Sequence, residues 1–295
     1  MSDEIRDITS VRPSWLVSMW ALVHPGPSLV TALAYAGFAA LAAHGRLDPG
    51  KLAVTFVGMI ALQFAISAFN DYRDREADRI SHKFKPVALG LLSPRMALLA
   101  TAFYTTVMVV CYAPYGPMPL LIASAYLLLG FAYDLGLKST PLGAVMLGLA
   151  FPLLPLLAWD LFATVHSALY WTFPIGLAIG ASINIADAAP DVVADRAAGG
   201  YGLTQALGRY ALGVGWALLA GAAVLIVTLA QAGITPARPI VLAISMSVAL
   251  GLLVFAIVFY QRARRSLSQR LRANFILTVV IALVIAAGWV ASALM

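Results

Sequence analysis

Charged residues and cysteines are scarce in this sequence. Asp, Glu, Lys and Arg make up 11% of its 295 residues, whereas hydrophobic residues make up 62% and the mean hydropathy is +0.90. This is too little polar surface to cover a soluble domain of that length, which excludes a soluble globular protein. The single cysteine, Cys111, excludes an internal disulfide and a cysteine metal site. Residues 1–15 also lack an apolar segment, so we expect no cleavable signal peptide.

Long apolar runs occupy most of the chain. A helix needs about 20 mostly apolar residues to cross the hydrocarbon layer of a bilayer. Runs of about this length predict nine transmembrane helices, at residues 28–45, 52–69, 96–112, 118–134, 141–160, 168–187, 211–231, 239–260 and 273–294. We therefore expect an all-α integral membrane protein with a single domain over residues 1–295, which includes a cytoplasmic N-terminal segment of about residues 1–26.

The lysines and arginines orient the predicted bundle. When the N-terminus is placed in the cytoplasm, all but three of the 19 basic residues fall on that side; the exceptions are Arg46, Lys51 and Arg238. Cytoplasmic loops are enriched in Lys and Arg, so we expect this orientation, in the lipid of a bacterial or archaeal cell membrane. This topology explains the isoelectric point of 9.6, and we expect no nucleic acid partner.

The densest group of charges follows the second apolar run, in the segment NDYRDREADR that begins at Asn70. If the helix continues through this segment, Asp71, Asp74 and Asp78 lie at i, i+3 and i+7 and share one stripe, because each residue advances the helix by about 100°. Glu76 points away from this stripe. Three carboxylates that face one spot repel each other unless a cation lies between them.

A second acidic set follows the sixth apolar run. Asp187, Asp191 and Asp195 are spaced by four residues and so return to one stripe of a helix. A shift of the chain by 117 residues superimposes the end of the first set on this second set. We therefore predict two repeated four-helix units and one additional helix, around a central cavity that opens on the cytoplasmic side. Such repeats also occur in transporters, so the repeat alone does not distinguish an enzyme from a transporter.

The residue types around both sets favour Mg²⁺. The available ligands are oxygen atoms, and Mg²⁺ prefers to bridge one or two carboxylates to a phosphorylated ligand. Diphosphate is the simplest ligand of this kind, and Arg79, Lys85 and Lys138 are available to neutralise it. A lipid with a diphosphate head would place its tail between the helices.

These segments resemble a known family. The residues from Asn70 to Asp78 match the NDxxDxxxD motif of the UbiA superfamily of intramembrane prenyltransferases. The segment DVVADRAAGGYGLTQALG, which begins at Asp191, resembles the family's second motif. The segment YDLGLK, with Tyr133 and Lys138, resembles the Tyr and Lys pair that follows the family's fourth helix. The nine predicted helices also agree, and the resemblance covers nearly the whole chain.

The resemblance implies Mg²⁺-dependent cleavage of an isoprenyl diphosphate and transfer of its polyprenyl group to a lipophilic or aromatic acceptor. Two or more Mg²⁺ ions would be held by five aspartates, which are the implied catalytic residues: Asp71, Asp74, Asp78, Asp191 and Asp195. The implied substrate-binding residues are Asn70, Arg79, Lys85, Tyr133, Lys138, Asn184 and Asp187.

Several positions depart from the family pattern. Family members often carry Arg-Pro near the start of the first helix and after the first motif, where this chain has His24 and Lys85 before proline. Val193 stands where many relatives have Glu, and Asn184 and Asp187 make the end of the sixth helix more polar than usual. These departures lie where an acceptor would bind, so they concern the acceptor rather than the diphosphate.

Two other functions stay open at this point. A UbiA-type terpene cyclase would act on the same diphosphate without an acceptor, since the substrate's own double bonds would capture the cation. An ion-coupled transporter could use the aspartates as a cation path, but such sites lie near the middle of the membrane, whereas these carboxylates lie at the ends of the predicted helices.

Overall fold

The structure is a computed structural model that describes residues 13–79, 84–197 and 199–293. The regular elements in these ranges are helices, with no β-strand among them. In chain order the α-helices are α1 (Trp15–Leu22), α2 (Pro25–Ala42), α3 (Pro49–Asp78), α4 (Pro94–Tyr112), α5 (Pro117–Asp134), α6 (Leu142–Ala150), α7 (Leu153–Phe162), α8 (Thr172–Ala188), α9 (Val192–Ala197), α10 (Leu203–Leu207), α11 (Ala211–Gln231), α12 (Pro239–Arg262) and α13 (Leu267–Ala293).

Nine helical segments within the described ranges are long and apolar enough to cross a membrane, which confirms the predicted all-α membrane fold. The nine spans are α2, α3, α4, α5, α6 with α7, α8, α10 with α11, α12 and α13. Five of the helices begin with proline in the first turn. Proline is tolerated there because the first amide groups of a helix have no partner within it.

The second span differs most from its predicted bounds. We expected it to end at residue 69, but α3 continues to Asp78 and is 30 residues long. Such a helix is about 45 Å long, whereas the hydrocarbon layer of a bilayer is about 30 Å thick. The last turns of α3 therefore extend beyond the apolar layer, and they carry the first acidic set.

The fifth span is interrupted where we predicted one continuous helix. Helix α6 ends at Ala150 and α7 begins at Leu153, with Phe151 and Pro152 between them. Proline cannot donate a backbone hydrogen bond, and its ring clashes with the preceding turn, so the helix breaks at this position.

Glycines bring α6 and α8 into direct backbone contact. A Cβ atom on Gly148 would lie 2.7 Å from Leu177 Cα, and one on Gly180 would lie less than 3.0 Å from Gly148 Cα. Gly176 and Gly180 lie on the same side of α8 because they are four residues apart, as in other close pairs of membrane helices. This contact fixes α8 against the fifth span.

Apolar side chains fill the space between the spans. Tyr35 of α2, Trp159 of α7 and Trp289 of α13 are among the largest fully buried side chains. Short connections join consecutive spans, so the spans alternate in direction and the C-terminal ends of α3, α5 and α8 lie at the same end of the bundle. This end carries both acidic sets. The two four-helix repeats and the cytoplasmic orientation remain predictions.

Candidate active site

The aspartates of the first set share one face of α3, as predicted. The helix continues through Asp71 and Asp74 to Asp78, its last residue, so their spacing places the side chains on one stripe. The side chain of Glu76 is 65% exposed and pairs with Arg79, as expected for a residue that lies off the stripe. This stripe forms the acidic wall of the candidate site.

Asp71 contacts two basic side chains. Its own side chain is fully buried, and its Oδ1 lies 2.6 Å from Lys85 Nζ and 2.8 Å from His24 Nε2. Lys85 Nζ also lies 2.8 Å from His24 Nε2 and 4.0 Å from Asp78 Oδ2. Since Asp71 and Lys85 are both largely withdrawn from water, their attraction is screened less than that of a surface pair.

A tight turn after α3 holds Lys85 in place. Backbone hydrogen bonds close the turn over residues 85–92. Val87 in this turn is buried in an apolar cluster that includes Ala68, which lies one helical turn before Asp71. Burial of the turn therefore places the lysine beside the aspartate.

Asp74 belongs to a second group of contacts, made with the end of the fourth span. Asn70 Nδ2 donates to Asp74 Oδ2 at 2.9 Å and to Asp134 Oδ1 at 2.7 Å. Lys138 Nζ contacts Asp74 Oδ2 and lies 3.4 Å from Asp134 Oδ1. One amide and one ammonium group thus hold together two carboxylates from different spans.

The combined cluster has an excess of negative charge. It contains two ammonium groups and four carboxylates, those of Asp71, Asp74, Asp78 and Asp134. With a neutral imidazole, four negative and two positive groups leave two formal negative charges. The Oδ2 atoms of Asp71 and Asp134 are buried and have no hydrogen-bond partner among the described residues. Carboxylate oxygens in excess suit a hard divalent cation such as Mg²⁺.

These aspartates do not form a complete metal cage. No three His, Cys, Asp or Glu side chains in the described ranges lie close enough together to hold an ion. Mg²⁺ usually binds one or two carboxylates together with substrate phosphates and water, rather than a dedicated all-protein cage. The donor set therefore fits Mg²⁺ whose remaining ligands come from a phosphorylated molecule.

Two predicted substrate-binding residues lie at the margin of this cluster. Arg79 Nη1 donates to Glu76 Oε2 at 2.7 Å, and the Arg79 side chain is 59% exposed, so the structure does not bring it to the carboxylates. Tyr133 is partly buried next to Asp134 near the end of α5. The structure does bring together the predicted residues Asn70, Lys85 and Lys138.

The second acidic set lies around the C-terminal end of α8. Asn184 is buried there, whereas Asp187 and Asp191 are exposed. Asp195 belongs to α9, but its side chain lies outside the part of the chain that the structure describes. Of the predicted metal ligands of the second motif, Asp191 thus lies at the surface of the bundle end.

The later part of the second motif meets the segment that carries Lys138. The amide of Tyr201 donates to the carbonyl of Ser139 at 2.8 Å, one residue after Lys138. The hydroxyl of Thr204 donates to the carbonyl of Ile185 in α8 at 3.4 Å. Because Lys138 contacts the first acidic set, this segment links the two motifs at the same end of the bundle.

The bundle also contains an apolar cavity of about 570 Å³. It lies between α2, the break in the fifth span, α8 and α13. Pro27, three residues after His24, and Ile183, next to Asn184, line one end of the cavity. Lining residues continue along α2 as far as Phe38, about 16 Å further at 1.5 Å per residue. The cavity can therefore hold an extended apolar chain that lies along α2.

The contacts add two residues that we did not predict for the site, Asp134 and His24. Asp134 ends an apolar run and precedes Lys138 by four residues, and this spacing was a usable sequence signal. His24 resembled a loop residue because it stands before Pro25. Its approach to Asp71 depends on a left-handed backbone conformation, with φ of 44°, which no local sequence pattern indicates.

Comparisons with known proteins find similar sequences and similar structures. The sequence pattern of the UbiA prenyltransferase family matches residues 28–279. The chain is 32% identical over 113 residues to a 4-hydroxybenzoate octaprenyltransferase of Nitrosomonas eutropha, and 30% identical over 137 residues to one of Neisseria gonorrhoeae. These matches cover 38% and 42% of this chain and 40% and 46% of the relatives. The matched part of the chain therefore spans less than half the length of either relative.

Solved structures share the fold. A UbiA homologue from Archaeoglobus fulgidus bound to GPP and Mg²⁺ matches with a TM-score of 0.69 and 17% identity, over 93% of this chain and 99% of that chain. An apo UbiA homologue from Aeropyrum pernix K1 matches with a TM-score of 0.68 and 18% identity, over 88% and 95% of the two chains. At this level of identity the likeness shows the common fold.

Proposed function

Because the chain belongs to the UbiA prenyltransferase family, we propose that it transfers a polyprenyl group from an isoprenyl diphosphate to a lipophilic or aromatic acceptor within the membrane. The observation that carries this proposal is the pairing of Lys85 with Asp71 and of Lys138 with Asp74 at the end of a bundle that also contains an apolar cavity. Such an arrangement suits a molecule with a diphosphate head and an apolar tail.

The carboxylates would hold the metal. We assign this role to Asp71, Asp74, Asp78, Asp191 and Asp195, and we expect two or more Mg²⁺ ions. Bound Mg²⁺ supplies positive charge that stabilises a departing diphosphate. The two formal negative charges of the combined cluster, together with its buried carboxylate oxygens, support this assignment.

The basic side chains would bind the diphosphate oxygens. Lys85 and Lys138 already lie among the carboxylates and can turn to a phosphate group that enters there. Arg79 can take part only if it leaves Glu76. Fixed positive charge at the leaving group lowers the barrier to breaking the allylic C–O bond, because negative charge grows on the diphosphate as that bond lengthens.

The walls of the site would protect the prenyl cation. The cavity is lined almost entirely by apolar side chains, which keep water from the cation before an acceptor captures it. Asn70, Tyr133, Asn184 and Asp187 are the polar residues that we assign to substrate contact.

The curated relatives that match are transferases named for an aromatic acceptor, which favours transfer over cyclisation. We place the site at the cytoplasmic face of a bacterial or archaeal cell membrane.

Product analysis tests this proposal. The purified protein in lipid nanodiscs is incubated with geranylgeranyl diphosphate and Mg²⁺, with and without 4-hydroxybenzoate as an aromatic acceptor, and Asp71→Asn serves as the matched inactive control. We expect a prenylated acceptor from the wild-type protein and none from the variant. A cyclic hydrocarbon formed without any acceptor would overturn the transferase assignment.

A further inference from the structure

Three polar atoms from different residues contact one another within the combined cluster. Asp71 Oδ1, Lys85 Nζ and His24 Nε2 lie 2.6 to 2.8 Å from one another. The Asp71 side chain is fully buried, and the Lys85 and His24 side chains are only 17% and 27% exposed. Water therefore supplies few hydrogen bonds to these atoms, and each atom depends on the other two for its partners.

The three contacts cannot all be hydrogen bonds with a neutral imidazole. If Nε2 carries the proton, it donates to Asp71 but faces the ammonium of Lys85, which also only donates. If the proton is on Nδ1, Nε2 accepts from Lys85 while Lys85 also donates to Asp71. Each tautomer thus leaves one of the three contacts without a proton, and we assign the Nδ1 tautomer because it lets the ammonium donate to both acceptors and places no second donor against this cation.

The backbone holds His24 in this position at some expense of conformational energy. His24 has φ of 44° and ψ of 63°, in the left-handed region that non-glycine residues adopt rarely. Such a conformation is strained, and it persists where surrounding contacts determine it. Here the carbonyl of His24 accepts from the amide of Ser28 at 3.2 Å, and the Ser28 hydroxyl donates to the carbonyl of Val23 at 2.9 Å.

We propose that His24 is a positioning residue for the diphosphate: its Nε2 accepts a hydrogen bond from the Lys85 ammonium and keeps that group at the site when Asp71 turns its oxygens to the metal. This inference rests on the proposed function. Lys85 has two acceptors in the cluster, and a cation on Asp71 removes one of them by repulsion. His24 is the acceptor that stays, so it fixes the direction in which the ammonium faces the phosphate oxygens.

The test measures binding of inorganic pyrophosphate in the presence of Mg²⁺ by isothermal titration calorimetry. The variants are His24→Ala, His24→Gln, Lys85→Ala and the double variant His24→Ala with Lys85→Ala. We expect His24→Ala to weaken binding about tenfold, which corresponds to one hydrogen bond to a charged group. His24→Gln should recover most of this loss, because its amide oxygen can reach the position of Nε2.

His44 provides a matched control. It is the other non-glycine residue with positive φ among the described residues, with φ of 47°, and it is exposed at the opposite end of α2. His44→Ala removes the same side chain from the same backbone conformation, so we expect unchanged pyrophosphate binding. If His24→Ala fails to fold, His24→Leu, which fills the volume without an acceptor, takes its place.

The double variant separates positioning from an independent contact. If His24 acts through Lys85, the double variant binds pyrophosphate no more weakly than Lys85→Ala alone; if the two act independently, their losses multiply. In turnover with geranylgeranyl diphosphate, His24→Ala should raise KM by about the same factor with a smaller change in kcat.

Two results overturn the role of His24: binding by His24→Ala at the wild-type affinity, or losses that multiply in the double variant. The proposed function fails in a different way. In that case Lys85→Ala and Asp71→Ala themselves bind pyrophosphate as tightly as the wild-type protein.

Discussion

Replacing Lys85 by Met should affect metal binding and diphosphate binding in opposite directions. Lys85 Nζ lies 2.6 Å from Asp71 Oδ1, so the ammonium occupies a position from which it competes with a cation for that oxygen. The same ammonium is one of the groups that we assign to the diphosphate. Methionine keeps most of the length of the side chain and removes its charge.

The burial of the pair sets the size of the effect. Asp71 is fully buried and Lys85 is 17% exposed, so the range for hydrogen bonds to buried charged groups, about 1.5–3 kcal/mol, applies rather than the smaller range for surface pairs. A metal ion that binds Asp71 must first break this pair. Without the lysine, affinity for the metal alone should therefore rise by about 10- to 150-fold. Affinity for pyrophosphate in the presence of metal should fall.

Manganese provides the assay. Binding of Mn²⁺, in place of Mg²⁺, is measured by electron paramagnetic resonance for the wild-type protein and Lys85→Met, with and without inorganic pyrophosphate. Arg95→Met is the control, because Arg95 is exposed in the first turn of α4 and its removal changes the net charge by the same amount. Metal affinity of Lys85→Met that equals or falls below the wild-type value, without pyrophosphate, would refute the competition between lysine and metal.

Three further predictions concern other parts of the site and its support. Asp191→Ala should abolish turnover and weaken Mg²⁺-dependent donor binding, with thermal unfolding unchanged because the side chain is exposed; full activity would contradict its role. Asp134→Ala should lower the free energy of unfolding by about 1.5–3 kcal/mol and reduce kcat/KM, because Asn70 and Lys138 lose a buried partner; an unchanged melting temperature would contradict this. Gly180→Ala should destabilise the protein by about 1–3 kcal/mol, since its Cβ meets the backbone of α6. The control Gly221→Ala faces open space, and equal melting temperatures for the two variants would show that the close contact is unimportant.

Much of the fold could be predicted because membrane spans have a strong sequence signal. Runs of apolar residues predicted nine spans, and the structure has nine in the described ranges. Hydropathy could not show that α3 continues past residue 69, because the residues that follow are charged. The helical spacing of Asp71, Asp74 and Asp78 was the better indicator there, since it has meaning only in a helix that includes them.

Other features depended on tertiary contacts. The break at Pro152 follows from the chemistry of proline. A search for apolar runs does not detect it, because the residues on both sides of the proline are apolar. The close approach of α6 to α8 requires Gly148 and Gly180 to meet in space, and the sequence places them 32 residues apart. Pairings between distant segments of this kind leave no local pattern.

In the candidate site, too, the sequence predicts some residues, whereas others depend on tertiary contacts. The predicted residues Asn70, Lys85 and Lys138 do lie with the aspartates, because Asn70 belongs to the first motif and each lysine follows the end of a span within a few residues. Arg79 is near them in sequence but faces Glu76, since a side chain one position after the last aspartate has turned off the stripe. His24 joins the cluster from a segment 47 residues away from Asp71, through a backbone conformation that the sequence does not predict.

Release of pyrophosphate tests the central assignment most directly. Geranylgeranyl diphosphate and 4-hydroxybenzoate are added to the wild-type protein and to Asp71→Asn in lipid nanodiscs, with Mg²⁺ or with a chelator, and pyrophosphate is measured over time. We expect steady release only from the wild-type protein with Mg²⁺. Equal release from Asp71→Asn, or release that persists in the chelator, would contradict the proposal that this carboxylate cluster binds a magnesium diphosphate.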